Sequence, residues 1–282
     1  MTGSVVWLDE QLLPTDEARI SPFDHGLMVG DGVFETLRVY DRVPFAWTRH
    51  YDRLCRSAGG LGLTPPTGDA LRAAADAVLA GNQLTDGRLR ITVTGGPSPL
   101  GSERGTVDPT VIVAAAPMRP LPPSVSVVRV PWTRNEGSAV AGLKTISYAE
   151  NVRALAFALE RGASEAIFCN TRGELCEATG SNVFAVQDGT LRTPPEDAGC
   201  LLGVTRALLL EECAKALDIP ADEVPLAPGA LAEADEAFLT SSTREVQPIS
   251  HVDGAALPAA PGPTTAALAA AFTELVRHDP DP

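Results

Sequence analysis

Gly137-Ser-Ala-Val-Ala-Gly-Leu-Lys144-Thr-Ile-Ser-Tyr148 holds one of only two lysines in a chain with twenty arginines. Arginine supplies positive charge almost anywhere, but its guanidinium stays protonated and cannot act as an amine nucleophile. A lysine among small and apolar neighbours can form a Schiff base. No acidic residue lies between Glu136 and Glu150 to neutralise Lys144. The other lysine, Lys215, falls in a helical pattern four residues after Glu211, the favourable order for an exposed helix pair, and reads as solvated surface. On position alone, an amine kept for chemistry and a lysine left by compositional bias both remain open for Lys144.

The proline-dense Pro117-Met-Arg-Pro-Leu-Pro-Pro123 is extended and poor in amide donors, which predicts an interdomain linker. It divides the chain into a smaller α/β domain over residues 1–116 and a larger domain over 124–282. At 282 residues and 44% hydrophobic content, the chain can build two cores. Val5 to Leu8, Gly32 to Tyr40, Arg88 to Thr94 and Thr110 to Ala115 read as strands, and about Thr48 to Leu61 and Asp69 to Ala80 as helices. Beyond the linker, strands are expected at Val125 to Val130, Ala166 to Cys169, Glu174 to Glu177, Asn182 to Val186 and Ala237 to Thr240. Helices are expected over Tyr148 to Arg161 and from the Gly199–Arg206 stretch to Leu217. Asp188-Gly189 is a hairpin signal, and the closing Asp-Pro repeats read as disorder.

A net charge of −14 opposes binding to nucleic acid or an anionic membrane and favours a small-molecule partner. No run of about twenty apolar residues and no leader pattern is present, so a cytoplasmic protein is expected. The five cysteines show no CxxC spacing and read as reduced, mostly core thiols. The four histidines are scattered, and no metal site is expected.

Gly203-Val204-Thr205-Arg206 stands where a glycine turn enters a helix, whose first amides and positive dipole end suit an anion. A plain turn explains it equally well. Ser241-Ser242-Thr243 is a second hydroxyl-rich turn. Glu177 sits close to a strand end, followed by small residues that let a flat ligand approach; a solvated hairpin charge is the simpler reading. Arg53, in His50-Tyr-Asp-Arg53-Leu54, falls on the polar side of a helix and would ordinarily be surface. Together these residues form the set that pyridoxal phosphate requires: an amine, an acid for the ring nitrogen, and amides, hydroxyls and an arginine for the phosphate.

The chain resembles the class IV aminotransferases, the fold-type IV pyridoxal phosphate enzymes. The resemblance runs through Asp24-His-Gly-Leu-Met-Val-Gly-Asp-Gly-Val-Phe-Glu-Thr-Leu-Arg38, His50-Tyr-Asp-Arg53-Leu54, Gly142-Leu-Lys144, Glu177-Ala-Thr-Gly-Ser-Asn-Val-Phe184, Gly203-Val-Thr-Arg206 and Phe238-Leu-Thr-Ser-Ser-Thr-Arg-Glu-Val246. It implies a two-domain α+β fold like that of D-amino acid aminotransferases, with the active site between the domains, and a homodimer whose partner subunit finishes each site. It implies Lys144 as the cofactor's Schiff-base lysine and catalytic base, Glu177 at the ring nitrogen, and Arg53, Val204, Thr205 and Ser242 around the phosphate. Thr36 and Arg90 are candidates for the substrate pocket, Arg90 for a carboxylate, although each reads equally well as an ordinary strand residue.

Within the family, Gly95-Gly96 stands where D-amino acid enzymes carry a carboxylate-gripping arginine. Ser241-Ser242-Thr243 replaces the glycine-threonine-alanine turn of branched-chain enzymes. The short N-terminus and the Ser241 turn look most like aminodeoxychorismate lyases, which release pyruvate and 4-aminobenzoate for folate synthesis. That is the expected activity, with a class IV transamination (branched-chain, D-amino acid or amine) as the alternative.

Overall fold

The computed structural model describes residues 4–282, so the first three residues of the expected N-terminal domain lie outside the described residues. The chain divides into two compact units. The first runs to Arg119 and takes in Leu143–Tyr148 and Asp281; the second holds Pro120–Gly142 and Ala149–Pro280.

The first unit is built on a six-stranded sheet. Its strands are β1 (Val5–Leu8), β2 (Gln11–Pro14), β3 (Gly32–Tyr40), β4 (Val43–Pro44), β5 (Gly87–Thr94) and β6 (Val111–Ala116), arranged β2-β1-β6-β5-β3-β4. The central pair is antiparallel, with Phe34 opposite Thr92 and Thr36 opposite Arg90. Period-two alternation sorts these strands into two faces. Val33, Leu37, Val39, Leu89, Ile91 and Val93 face the core, whereas Phe34, Thr36, Arg90 and Thr92 share the other face.

Three helices belong to this unit: the short α1 (His25–Val29), α2 (Trp47–Gly60) and α3 (Gly68–Gly81). Helix α3 buries Leu71, Ala74, Ala75, Val78 and Leu79, a stripe of helical period, and is capped by the Thr67 hydroxyl. Each fully buried leucine or valine contributes about 1.5–3 kcal/mol. Helix α2 has no side-chain cap on its own N-cap residue. Asp281 serves instead, accepting from the Thr48 amide at 2.8 Å and the Thr48 hydroxyl at 2.6 Å. The expected disorder of the Asp-Pro tail is thereby corrected: a carboxylate at an open helix N-terminus gains both hydrogen bonds and dipole interaction.

The second unit carries a nine-stranded mixed sheet. Its strands are β7 (Val125–Arg134), β8 (Glu165–Asn170), β9 (Leu175–Ala178), β10 (Asn182–Gln187), β11 (Thr190–Thr193), β12 (Ala221–Glu223), β13 (Glu236–Ser241), β14 (Glu245–Val252) and β15 (Ala255–Ala256). The order is β12-β11-β10-β13-β14-β7-β8-β9, with β15 beside β14. Strands β8, β10 and β13 are buried on both faces, which is why they read as apolar runs rather than alternation. Asp188 and Gly189 both take positive φ at the β10–β11 hairpin, as a two-residue primed turn requires. Helix α4 (Ala149–Leu159) packs on this sheet, as does α7 (Pro263–His278). A third helical run begins as α5 (Val204–Leu208), passes through a π-helical turn (Leu209–Cys213) and ends as α6 (Ala214–Ala216).

The sequence assigns Leu143–Tyr148 to the second domain, but the fold attaches this segment to the first unit. Phe34 donates its amide to the Lys144 carbonyl at 3.0 Å, and Ile146 donates to Gly32 at 2.9 Å. The lysine segment thus pairs with the start of β3.

Candidate active site

In the first unit, backbone pairing fixes Lys144 at both ends. Its carbonyl accepts from Phe34, and its amide donates to the Ser57 hydroxyl of α2 at 3.1 Å. The Lys144 ammonium lies 4.4 Å from the centroid of the Phe34 ring. The Arg90 guanidinium lies 3.7 Å from the same centroid, and Tyr148 meets that ring edge-on. Arg90 is steered by a hydrogen bond from Nε to Thr92 Oγ1 at 3.2 Å. Thr36, half-buried, lies across the strand pair from Arg90 on the same face. Lys144, Arg90 and Tyr148 are thus gathered by one aromatic ring.

Arg53 is placed differently from its surface expectation: it is 5% exposed, on the core side of the sheet. Its Nε and Nη2 donate to the two oxygens of Glu35, each at 2.7 Å, and His50 Nδ1 is 2.7 Å from Glu35 Oε2. Burial by itself would raise the Glu35 carboxyl, but Arg53 and His50 outweigh it and hold the group well below the ordinary carboxylate range. Burial, opposed by Glu35 and reinforced by Arg53 and Lys144, lowers His50 below the ordinary imidazole value. The sequence signal for Glu35 was available only as part of Phe34-Glu-Thr36; its partners come from α2.

In the second unit, Glu177 is half-buried on β9. Its Oε2 accepts the Leu201 amide at 3.0 Å, and its Oε1 is 3.7 Å from Arg134 Nη1. The Leu201 carbonyl accepts from Asn182 Nδ2 at 2.7 Å. A Cβ at Gly203 would fall 2.1 Å from Asn182 Oδ1, so only glycine fits where the chain turns into α5. Gly203 is the N-cap and has no side chain to close the first helical amides. Val204 and Thr205 are 7% and 4% exposed in that first turn. Glu177, Leu201, Asn182 and the Gly203 turn therefore form one connected set.

Ser242 lies in the turn between β13 and β14, and Thr240, two residues earlier, pairs with Asn182 across the sheet. The turn is braced by Arg244, whose amide donates to Ser241 Oγ at 3.2 Å and whose Nη2 is 3.1 Å from Glu165 Oε2. The other Glu165 oxygen accepts from the Thr179 hydroxyl and from the Ala166 amide at 2.9 Å. Glu165, Arg134, Asn182 and Arg244 were not singled out from sequence, because their meaning depends on contacts far apart in the chain.

The cysteines offer no alternative nucleophile here. Cys176 and Cys200 are buried, and burial, aided by the charge of Glu177, pushes the Cys176 thiol up and the Cys200 thiol up to about 12.

Residues 32–252 match the amino-transferase class IV family. The chain belongs to the class IV aminotransferases. A Methanocaldococcus jannaschii protein, provisionally named a branched-chain-amino-acid aminotransferase, is 35% identical over 258 residues, covering 88% of each chain. The D-alanine aminotransferase of Listeria innocua is 32% identical over 288 residues, covering 95% of each. Among solved structures, the branched-chain amino acid aminotransferase of Escherichia coli superposes with a TM-score of 0.92 at 27% identity, covering 97% of this chain and 94% of that one. A Legionella pneumophila protein, provisionally named a 4-amino-4-deoxychorismate lyase, superposes with a TM-score of 0.87 at 25% identity, covering 92% and 96%.

Class IV membership makes this a pyridoxal-phosphate-dependent enzyme of fold type IV. Each unit by itself carries groups that suit that cofactor: in the first, an amine on an aromatic ring; in the second, a carboxylate held in place and a glycine-entered helix start.

Proposed function

We propose that this protein is an aminotransferase that moves an amino group between an amino acid and a keto acid. The observation carrying this reading is the pair of cations on the Phe34 ring: the Lys144 amine and the exposed Arg90 guanidinium share one aromatic platform. An α-amino acid offers a nitrogen-bearing carbon for the first and a carboxylate for the second, which arginine grips with a planar fork. The aminotransferase relatives support transamination over the lyase activity suggested by the Ser241 turn.

In this reading Lys144 Nζ would hold the cofactor, and the same amine would move the proton at the substrate's α-carbon. The Glu177 carboxylate would accept a hydrogen bond from the ring nitrogen and so keep that nitrogen protonated. The amides of Val204 and Thr205 and the hydroxyls of Thr205 and Ser242 bind the phosphate, with Arg53 supplying charge from its Glu35-locked position. Thr36 lines the substrate side beside Arg90. The bound cofactor serves as the electron sink for the bond broken at the α-carbon.

The test is a half-reaction panel on the holoenzyme, read by its visible spectrum, with branched-chain L-amino acids, D-alanine and glutamate as donors, beside product analysis with aminodeoxychorismate. Amino acids are expected to convert the cofactor to its aminated form. Formation of 4-aminobenzoate with inertness toward every donor would overturn the proposal in favour of the lyase.

We also propose a homodimer, acting in the cytoplasm. Ile20, Phe23, Leu27 and Leu100 are 45–78% exposed on the first unit. Ser98 donates to the Phe23 carbonyl and His25 bonds the Gly101 carbonyl, so the segments bearing these residues lie side by side. Exposed large apolar groups gathered in this way mark an association surface. Leu27→Glu is expected to shift the mass measured by light scattering from dimer to monomer; an unchanged mass would remove this face from the interface.

A further inference from the structure

Arg134, at the end of β7, is placed by contacts on three sides. Its guanidinium lies 4.3 Å from the centroid of Phe168, a fully buried ring on β8. Phe168 is the direct cross-strand neighbour of Glu177. Arg134 Nη2 donates to Asn151 Oδ1 of α4 at 2.9 Å, and Asn151 Nδ2 donates to the Thr179 carbonyl at 2.5 Å, in the loop that follows Glu177. Arg134 Nη1 then stands 3.7 Å from Glu177 Oε1, while the Leu201 amide holds the other oxygen. Glu150 lies 3.4 Å from Arg134 Nε on the outer side. The charged and titratable groups around Glu177 include Arg134 on β7, with Glu150 behind it on α4, and the buried thiols Cys176 on β9 and Cys200 in the loop before α5.

We propose that Arg134 is the positioning residue of Glu177, fixing both the direction and the charge of the carboxylate and so strengthening its hold on the cofactor ring. The proposal rests on the reading of Glu177 as the ring-nitrogen acid. Arginine suits the task because its rigid fork can serve Asn151 with one nitrogen and Glu177 with another while its guanidinium sits over the Phe168 ring. A lysine would return the charge but not the fork.

The experiment follows cofactor release from the holoenzyme by loss of visible absorbance on dilution. Four proteins are compared: the parent chain, Arg134→Met, Glu177→Gln and the double variant, with Arg134→Lys as a fifth. Arg134→Met is expected to release cofactor roughly tenfold faster or more, the scale of a lost charge-assisted contact. Arg134→Lys should recover part of that loss. In the Glu177→Gln background, adding Arg134→Met should change little, because the effect runs through the carboxylate. An equal acceleration in both backgrounds would overturn the proposal and leave Arg134 as structural support, while Glu177 kept its role. Cofactor release from Glu177→Gln at the parent rate would instead remove Glu177 from the site and take this inference with it. Hydrogen exchange in β7 and α4 shows whether Arg134→Met keeps the local fold; if it does not, the comparison passes to Arg134→Lys, whose failure to differ from the parent chain would equally overturn the proposal.

Discussion

Lys144→Arg is expected to abolish transamination while leaving the first unit folded. The substitution keeps a cation for the Phe34 ring, whose attraction to Lys144 at 4.4 Å does not depend on a primary amine. The backbone pairings of residue 144 with Phe34 and Ser57 also remain. What disappears is a group able to bond the cofactor and to carry a proton, because guanidinium does neither near neutral pH. Proton transfer alone is worth about 10²–10⁴-fold in rate, and the covalent role adds to that. A fall of at least about 10⁴-fold in the single-turnover rate is therefore expected. Borohydride treatment should leave the mass of a reduced cofactor adduct on the parent chain's Lys144 peptide and none on the variant. A Lys144→Arg enzyme retaining a tenth of the parent rate would remove Lys144 from the chemistry, whatever its place in the fold.

That prediction tests the part of the site most legible in the sequence. Lys144 stood out because the composition otherwise prefers arginine, and Gly203 because a glycine stands directly before a helical run; both are local signals. Long strands such as Gly32–Tyr40 and Gly87–Thr94 were readable for the same reason, since alternation is written into neighbouring residues. The two- to four-residue strands β2, β4 and β15 were not, because pairing with a neighbour, and not their own pattern, makes them strands. Arg53 misled the eye in the opposite direction. A helix position that looks polar is buried here because a carboxylate from β3, eighteen residues earlier, is waiting for it. Arg134 carried no signal at all, as its partners Asn151, Phe168 and Glu177 come from three other elements.

The Glu35, His50 and Arg53 cluster leads to the second large effect, on stability and its pH dependence. Glu35→Gln leaves the Arg53 guanidinium buried without its counter-charge, and breaking one side of a buried pair costs about 3–5 kcal/mol. The sign with pH follows from the direction of each shift. Glu35 is held below the ordinary carboxylate range when folded, so below about pH 4.3 the unfolded chain binds the extra proton first and stability falls with pH. His50 is also lowered on folding, so its contribution is complete above about pH 6.5 and fades as the pH drops below that value. Both slopes have the same sign. In the variant the lower one vanishes, since glutamine does not titrate. The gap between parent and Glu35→Gln proteins should therefore be widest near neutrality and narrow as the pH falls from about 5 toward 3. Because two units need not unfold together, the measurement is native-state hydrogen exchange of the α2 amides, which report this cluster directly. A gap that stays constant over that range would mean that the Glu35 carboxylate is not the ionised partner of Arg53.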